Sequence, residues 1–217
     1  MLRRLIVVFP LLVLFASCGD ELPDFPVEYQ ATFIPLWTVS THPVDYPTDA
    51  AFSAFEVYSH KSGSELFTVG LSATEAIKQL AENGNVRQLE EQIDLLRSSD
   101  RALDRTFGDM VTYPRNSAVV LGFDEAHTQV SVLAKIIPSP DWFVAVNNVQ
   151  LFQNGTWVDS VSVNLVAYDA GTDSGNTFYA ADQPTTPPNA VQIINTAPLA
   201  ENGTVAPMAR VSFKRVK

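Results

Sequence analysis

From Val27 to Val39 apolar and polar side chains alternate, through Val27, Tyr29, Ala31 and Phe33 and on to Leu36, Trp37 and Val39. A period of two marks a strand with one buried face. Pro35 interrupts the run and predicts an edge position or a bulge. A turn-rich piece around Thr41-His42-Pro43 leads to a second strand over 52–59. The period then lengthens. Ser72-Ala73-Thr74-Glu75 reads as a capping box in which the Ser72 hydroxyl accepts from the Glu75 N–H. Ala76, Ile77, Leu80 and Ala81 follow at helical spacing up to an Asn83-Gly84 stop. Asn85 can cap a second helix, with Val86, Leu89, Ile93 and Leu96 on one face and Glu90, Glu91, Asp94 and Arg97 on the other. Beyond Pro114 the β period returns over 118–123, 130–137, 142–152, 157–166, 190–195 and 209–216, with Asn154-Gly155 as a hairpin turn. The pattern predicts a mainly β chain, an antiparallel β-sandwich, with a short αα-hairpin inserted to cover one end or edge of a sheet.

At 217 residues and 46% hydrophobic content the chain suits one domain with a full core. A formal charge of −10 and the lack of any basic tract exclude nucleic acid as a partner, because such binding rests on neutralising phosphates. The amino terminus changes the picture more. Arg3 and Arg4 precede an apolar run, Leu5 to Phe15, that is too short for a bilayer, which needs about 20 residues. Residues 1–17 therefore read as an export signal. Cys18, the single cysteine, stands where the cleaved chain would begin, and Phe15-Ala16-Ser17-Cys18 resembles the lipobox of bacterial lipoproteins. That resemblance implies acylation of Cys18, an extended tether over 18–26, and a domain over 27–217 held on a membrane of a bacterial cell envelope.

Chemistry concentrates in Asp169-Ala170-Gly171-Thr172-Asp173-Ser174-Gly175, a loop with two carboxylates, two hydroxyls and no basic side chain. If the 142–152 and 157–166 runs pair around Asn154-Gly155, Asp141 lies at the same end of the ribbon as Asp169. Three carboxylates there repel one another unless a cation joins them. Oxygen-only ligands without a nearby histidine favour Ca²⁺ over zinc or copper. Composition leaves a solvated acidic turn equally open.

Pro138-Ser139-Pro140-Asp141-Trp142-Phe143-Val144, the loop from Asp169 to Gly175, and Pro184-Thr185-Thr186-Pro187 together resemble the F-spondin amino-terminal domain, the spondin domain of F-spondin and mindin. Trp37, Thr41-His42-Pro43, Phe52-Ser53, Ser59-His60 and Leu80-Ala81-Glu82-Asn83-Gly84 agree with it in order, so the likeness runs from about Tyr29 to the carboxyl end. It implies an antiparallel β-sandwich with a helical insertion, a bound calcium ion with Asp141, Asp169 and Asp173 as ligands, and a non-catalytic role in adhesion or recognition. The implied partner is an extracellular matrix protein or a glycan. A structural envelope protein whose ion merely stiffens loops is the alternative. The chain departs from the family in lacking the disulfides of its animal members, and in Tyr168 and Ala145, where Trp and Gly are common.

Catalytic signals are weak. Asp173-Ser174-Gly175 matches the aspartic-protease triplet, but only once. His42, His60 and His127 read as packing or surface residues, and Trp37, Trp142 and Trp157 as core rather than a sugar-stacking platform. Asn154-Gly155-Thr156 and Asn202-Gly203-Thr204 are glycosylation sequons in form and turns by composition.

Overall fold

The computed structural model describes residues 24–217. In chain order the elements are β1 (Val27–Pro35), β2 (Ala51–Phe52), β3 (Phe55–His60), α1 (Glu75–Asn83), α2 (Arg87–Ser98), β4 (Ala102–Gly108), β5 (Ser117–Phe123), β6 (Gln129–Ile137) and β7 (Trp142–Gln150). There follow β8 (Phe152–Gln153), β9 (Thr156–Trp157), β10 (Ser160–Asn164), β11 (Val166–Asp169), β12 (Gln192–Ile193), β13 (Ala200–Glu201), β14 (Thr204–Val205) and β15 (Ala209–Arg215). One sheet runs β10-β15-β1-β5 and a larger one β12-β11-β7-β6-β3-β4, with β2 on β6. Every pairing between these strands is antiparallel.

The expected sandwich is there, and the helices add a third layer. Tyr29, Ala31 and Phe33 of β1 meet Phe55 and Val57 of β3 and Val132, Ala134 and Ile136 of β6 between the sheets. The opposite face of the larger sheet, with Tyr58, Leu133, Phe143 and Ala145, is closed by Ile77, Leu80, Leu89 and Ile93 of the two helices. The αα-hairpin thus covers a sheet face, not an end or an edge. Arg105 of β4 pins α2 there, donating to both Asp94 oxygens and to Glu90.

Several local expectations need correction. Thr74, not Ser72, caps α1, its hydroxyl accepting from the Ile77 N–H. Ser72 instead bridges to Ala190. Asn85 does accept from the Arg87 N–H, although the residue next to the helix is Val86. Pro35 is neither on an edge strand nor at a bulge: it is the last residue of an inner strand, past the point where pairing to β5 stops at Phe33↔Ser117. The 157–166 run is not one strand, because β10 joins β15 in the smaller sheet while β11 joins β7 in the larger. The 190–195 run keeps only Gln192 and Ile193 as strand, and β4 is an addition.

The export signal and Cys18 lie outside the described residues. Of the 18–26 tether, Asp24 pairs with Lys217, and the Phe25 ring covers Gly122 of β5. Among the described residues no helix is long and apolar enough to cross a membrane.

Candidate functional site

The acidic loops meet at one end of the larger sheet. β6 ends at Ile137 and β7 begins at Trp142, and Ser139 ties the turn between them: its hydroxyl donates to the Ile136 carbonyl at 2.6 Å and accepts from the Trp142 N–H at 3.2 Å. Next to β7, β11 delivers Asp169 opposite Trp142. Beyond Asp169 the chain must turn sharply. Gly171 has φ of +73°, and a Cβ there would stand 2.6 Å from the Asn189 carbonyl oxygen, so only glycine fits. Residues 183–189 then strap the loop through Ser174 N–H to Gln183 O, Thr185 N–H to Thr172 O and Asn189 N–H to Gly171 O, all at 2.8–2.9 Å.

Asp141 is the hub. Its side chain is wholly buried. Oδ2 accepts from the Thr172 N–H at 2.7 Å, the Asp173 N–H at 3.0 Å and the Thr172 hydroxyl at 3.3 Å. Its main-chain carbonyl accepts from Ala170. Oδ1 is buried and makes no hydrogen bond. Burial first, then the charge of Asp169, pushes the Asp141 carboxyl up to about 6. Asp169 is half-buried, and one of its oxygens accepts from the Gly171 N–H at 2.7 Å. Burial raises its pKa, while the Gly171 N–H and the Trp142 indole pull it down. Asp173 gives one oxygen to the Gly175 N–H at 2.6 Å and the other to the Gln183 N–H at 2.7 Å.

So all three predicted carboxylates come to one end of the fold, with Asp141 bonded to the loop that carries the other two. Among the described residues no three carboxylate, imidazole or thiolate side chains close round one point at ligand distance. A buried carboxylate oxygen with no donor is nonetheless costly, and it fits a cation better than it fits an empty core. Asp173-Ser174-Gly175 forms a loop-closing turn, with Asp173 occupied by backbone amides.

Sequence reasoning missed Lys135 of β6. Its ammonium lies among these loops, donating to the carbonyls of Ala81 and Ser139 and to the Ser139 hydroxyl. Burial pulls it down to about 8, against the charges of Asp141, Glu82 and Asp173. A lone charge in an apolar strand run was the available signal.

Beside Asp169 opens a groove of about 270 Å³ whose walls include Trp142, Asn176, Asn189, Gln192 and Asn195, with no basic side chain. The three tryptophans do not form a platform: Trp37 and Trp142 are core, and Trp157 packs on Tyr29, Phe123 and Phe152. All three histidines are buried. His60 Nε2 and the Ser131 hydroxyl lie 2.8 Å apart, but both residues are fully enclosed and His60 stacks on Tyr58, which makes the pair part of the core.

Residues 27–204 match the Spondin_N family model. Spondin-2 of Rattus norvegicus is 26% identical over 237 residues, which takes in 100% of this chain and 72% of that protein. Spondin-1 of Homo sapiens is 31% identical over 225 residues, 92% of this chain and 28% of its own length. Spondin-1 of Gallus gallus is 30% identical over 216 residues, again 92% of this chain and 26% of its own. The chain therefore spans most of Spondin-2 but only about a quarter of Spondin-1. With a match from β1 to β14 and a fold built around the loops that carry the family motifs, this chain belongs to the Spondin_N family.

Proposed function

We propose that the chain is a calcium-binding, non-catalytic adhesion or recognition module, exported and held on a bacterial membrane through acylated Cys18. The observation that carries the calcium reading is Asp141 Oδ1, fully buried, without a hydrogen bond, and beside the loop of Asp169 and Asp173. Asp141, Asp169 and Asp173 would hold the ion, with backbone carbonyls and water completing an oxygen set. Bound calcium supplies the positive charge that offsets their mutual repulsion. The chain's own part is to hold the carboxylates in place, through the Gly171 turn, the 183–189 strap and the Ser139 tie. The groove beside Asp169 is the recognition surface of this reading. Its amides suit hydrogen-bonding ligands such as a peptide backbone or sugar hydroxyls.

Calorimetric titration of Ca²⁺ into the mature chain tests the ion. A Kd around 10⁻⁴ to 10⁻³ M is expected, as for extracellular calcium modules. It should be lost in Asp141→Asn and weakened in Asp169→Asn and Asp173→Asn. Equal heats for all four proteins would sink the reading. An array of glycans and matrix proteins with and without chelator tests recognition: binding that needs calcium supports it, and no binding leaves a purely structural ion. A Cys18→Ala chain that still partitions with membranes contradicts the anchor.

A further inference from the structure

We propose that Lys135 is the built-in counter-ion of the carboxylate site and sets its strength and charge preference for cations. This rests on the calcium reading above. Lys135 is 6% exposed, its stem runs beneath Gly84 at the end of α1, and its ammonium donates to the carbonyls of Ala81 and Ser139 and to the Ser139 hydroxyl. All three ammonium protons are thus spent on neutral oxygens. No ion pair within 4.0 Å among the described residues includes it. The carboxylates that act on its charge do so through space, Asp141 first, then Glu82 and Asp173, and its bonds to Ser139 fix it on the turn that leads into Asp141. A buried charge is normally paired directly. This one is held off its carboxylates by a cradle of carbonyls from two different elements, α1 and the β6–β7 turn.

The consequence is arithmetic in charge. Among the three proposed ligands, Asp141, Asp169 and Asp173 supply three negative charges when ionised and Lys135 one positive, which leaves two for an incoming ion to balance; Glu82, half-buried on α1 and not a ligand, adds a further negative charge outside that set. A divalent cation neutralises the site. Without Lys135 the balance would be three, the charge of a lanthanide. Because the ammonium is clamped, it cannot withdraw when a cation arrives, and the repulsion scales with the cation's charge.

The test compares Ca²⁺ and Tb³⁺ binding in the wild type, Lys135→Gln and Lys135→Met, with Tb³⁺ emission sensitised through the adjacent Trp142. Glutamine keeps a donor for the Ala81 and Ser139 oxygens, and methionine keeps only the stem. Loss of the charge should tighten Ca²⁺ about tenfold and Tb³⁺ about thirtyfold, since the repulsive energy rises in the ratio of the two charges. A residue that merely braces the loops would weaken both ions equally, and an unchanged or falling Tb³⁺ to Ca²⁺ preference overturns the proposal. If neither variant folds, the wild type decides by NMR. The Lys135 ε-methylene signal should move saturably along the calorimetric Ca²⁺ isotherm, and a stationary signal while the site fills overturns the proposal. A wild type that binds neither ion is a different result: it removes the calcium reading itself, and this inference with it.

Discussion

Glu56→Gln should stabilise this protein, and increasingly so as the pH rises. Glu56 lies on the face of β3 covered by α2, is fully buried, and neither of its carboxyl oxygens makes a hydrogen bond. The cation that acts on it, Arg105, is already committed to Glu90 and Asp94. Burial therefore dominates over Arg105, and with added push from Glu90 and Asp94 it raises the Glu56 carboxyl from 4.5 to about 9. The folded chain holds this proton more tightly than the unfolded chain does. Its contribution to stability is thus complete below pH 4.5 and is lost as the pH climbs towards 9. At about 1.4 kcal/mol per pKa unit, the loss between pH 5 and pH 9 has a ceiling of about 5 kcal/mol. An ionised Glu56 would draw Arg105 partly away from Glu90 and admit water, so about half of that is the expected observation. Urea unfolding of wild type and Glu56→Gln at pH 5, 7 and 9, in chelator so that no ion contributes, isolates the effect. The two should agree within about 1 kcal/mol at pH 5 and differ by about 2–3 kcal/mol at pH 9, with glutamine the more stable. Parallel stability profiles across that range would refute the reasoning, because they would mean that Glu56 ionises as freely in the folded chain as in the unfolded one.

Other consequences are simpler. Gly171→Ala meets both a φ of +73° and the Asn189 carbonyl oxygen, and should cost about 1–3 kcal/mol in chemical unfolding; an alanine variant of wild-type stability would mean that the loop is not held as described. Ser131→Ala strips His60 Nε2 and the Asn148 N–H of their shared partner, for an expected loss of about 1–3 kcal/mol by the same assay. Calcium at ten times its Kd should add about 1.4 kcal/mol to the mature chain and nothing to Asp141→Asn, read as the shift in melting temperature. Arg105→Met should release α2, seen as faster amide exchange over 87–98, with β1 and β15 unaffected.

What the sequence could and could not say follows from which faces are buried. The run through Tyr29, Ala31 and Phe33 is legible because only one face of β1 enters the core. β4 is not legible: as an edge strand it keeps Leu103 to Thr106 half-buried and Phe107 exposed, so it carries no alternation to detect. The larger sheet is buried on both faces, one by the other sheet and one by the helices. In such a strand a single charge looks like the solvent side, so the pattern alone does not mark Glu56 and Lys135 as buried. The three carboxylates come to one end of the larger sheet for a physical reason, although the 142–152 and 157–166 runs do not pair as one hairpin. The assumed hairpin is real at Phe152↔Trp157, but its second arm leaves for the other sheet and returns as β11, two residues out of register, at Val166↔Ala145. A slip of two preserves both the face and the end of a strand, whereas a slip of one would have turned every side chain over. Asp169 therefore still arrives beside Trp142, and the Thr172 and Asp173 amides that follow it still reach Asp141. What pairing alone could not supply is the third layer, since the αα-hairpin brings the Ala81 carbonyl over Lys135 and so fixes a positive charge next to the acidic loops. The electrostatics of the site are consequently a property of two layers, the larger sheet and the helices over it, although its carboxylates come from two neighbouring strands.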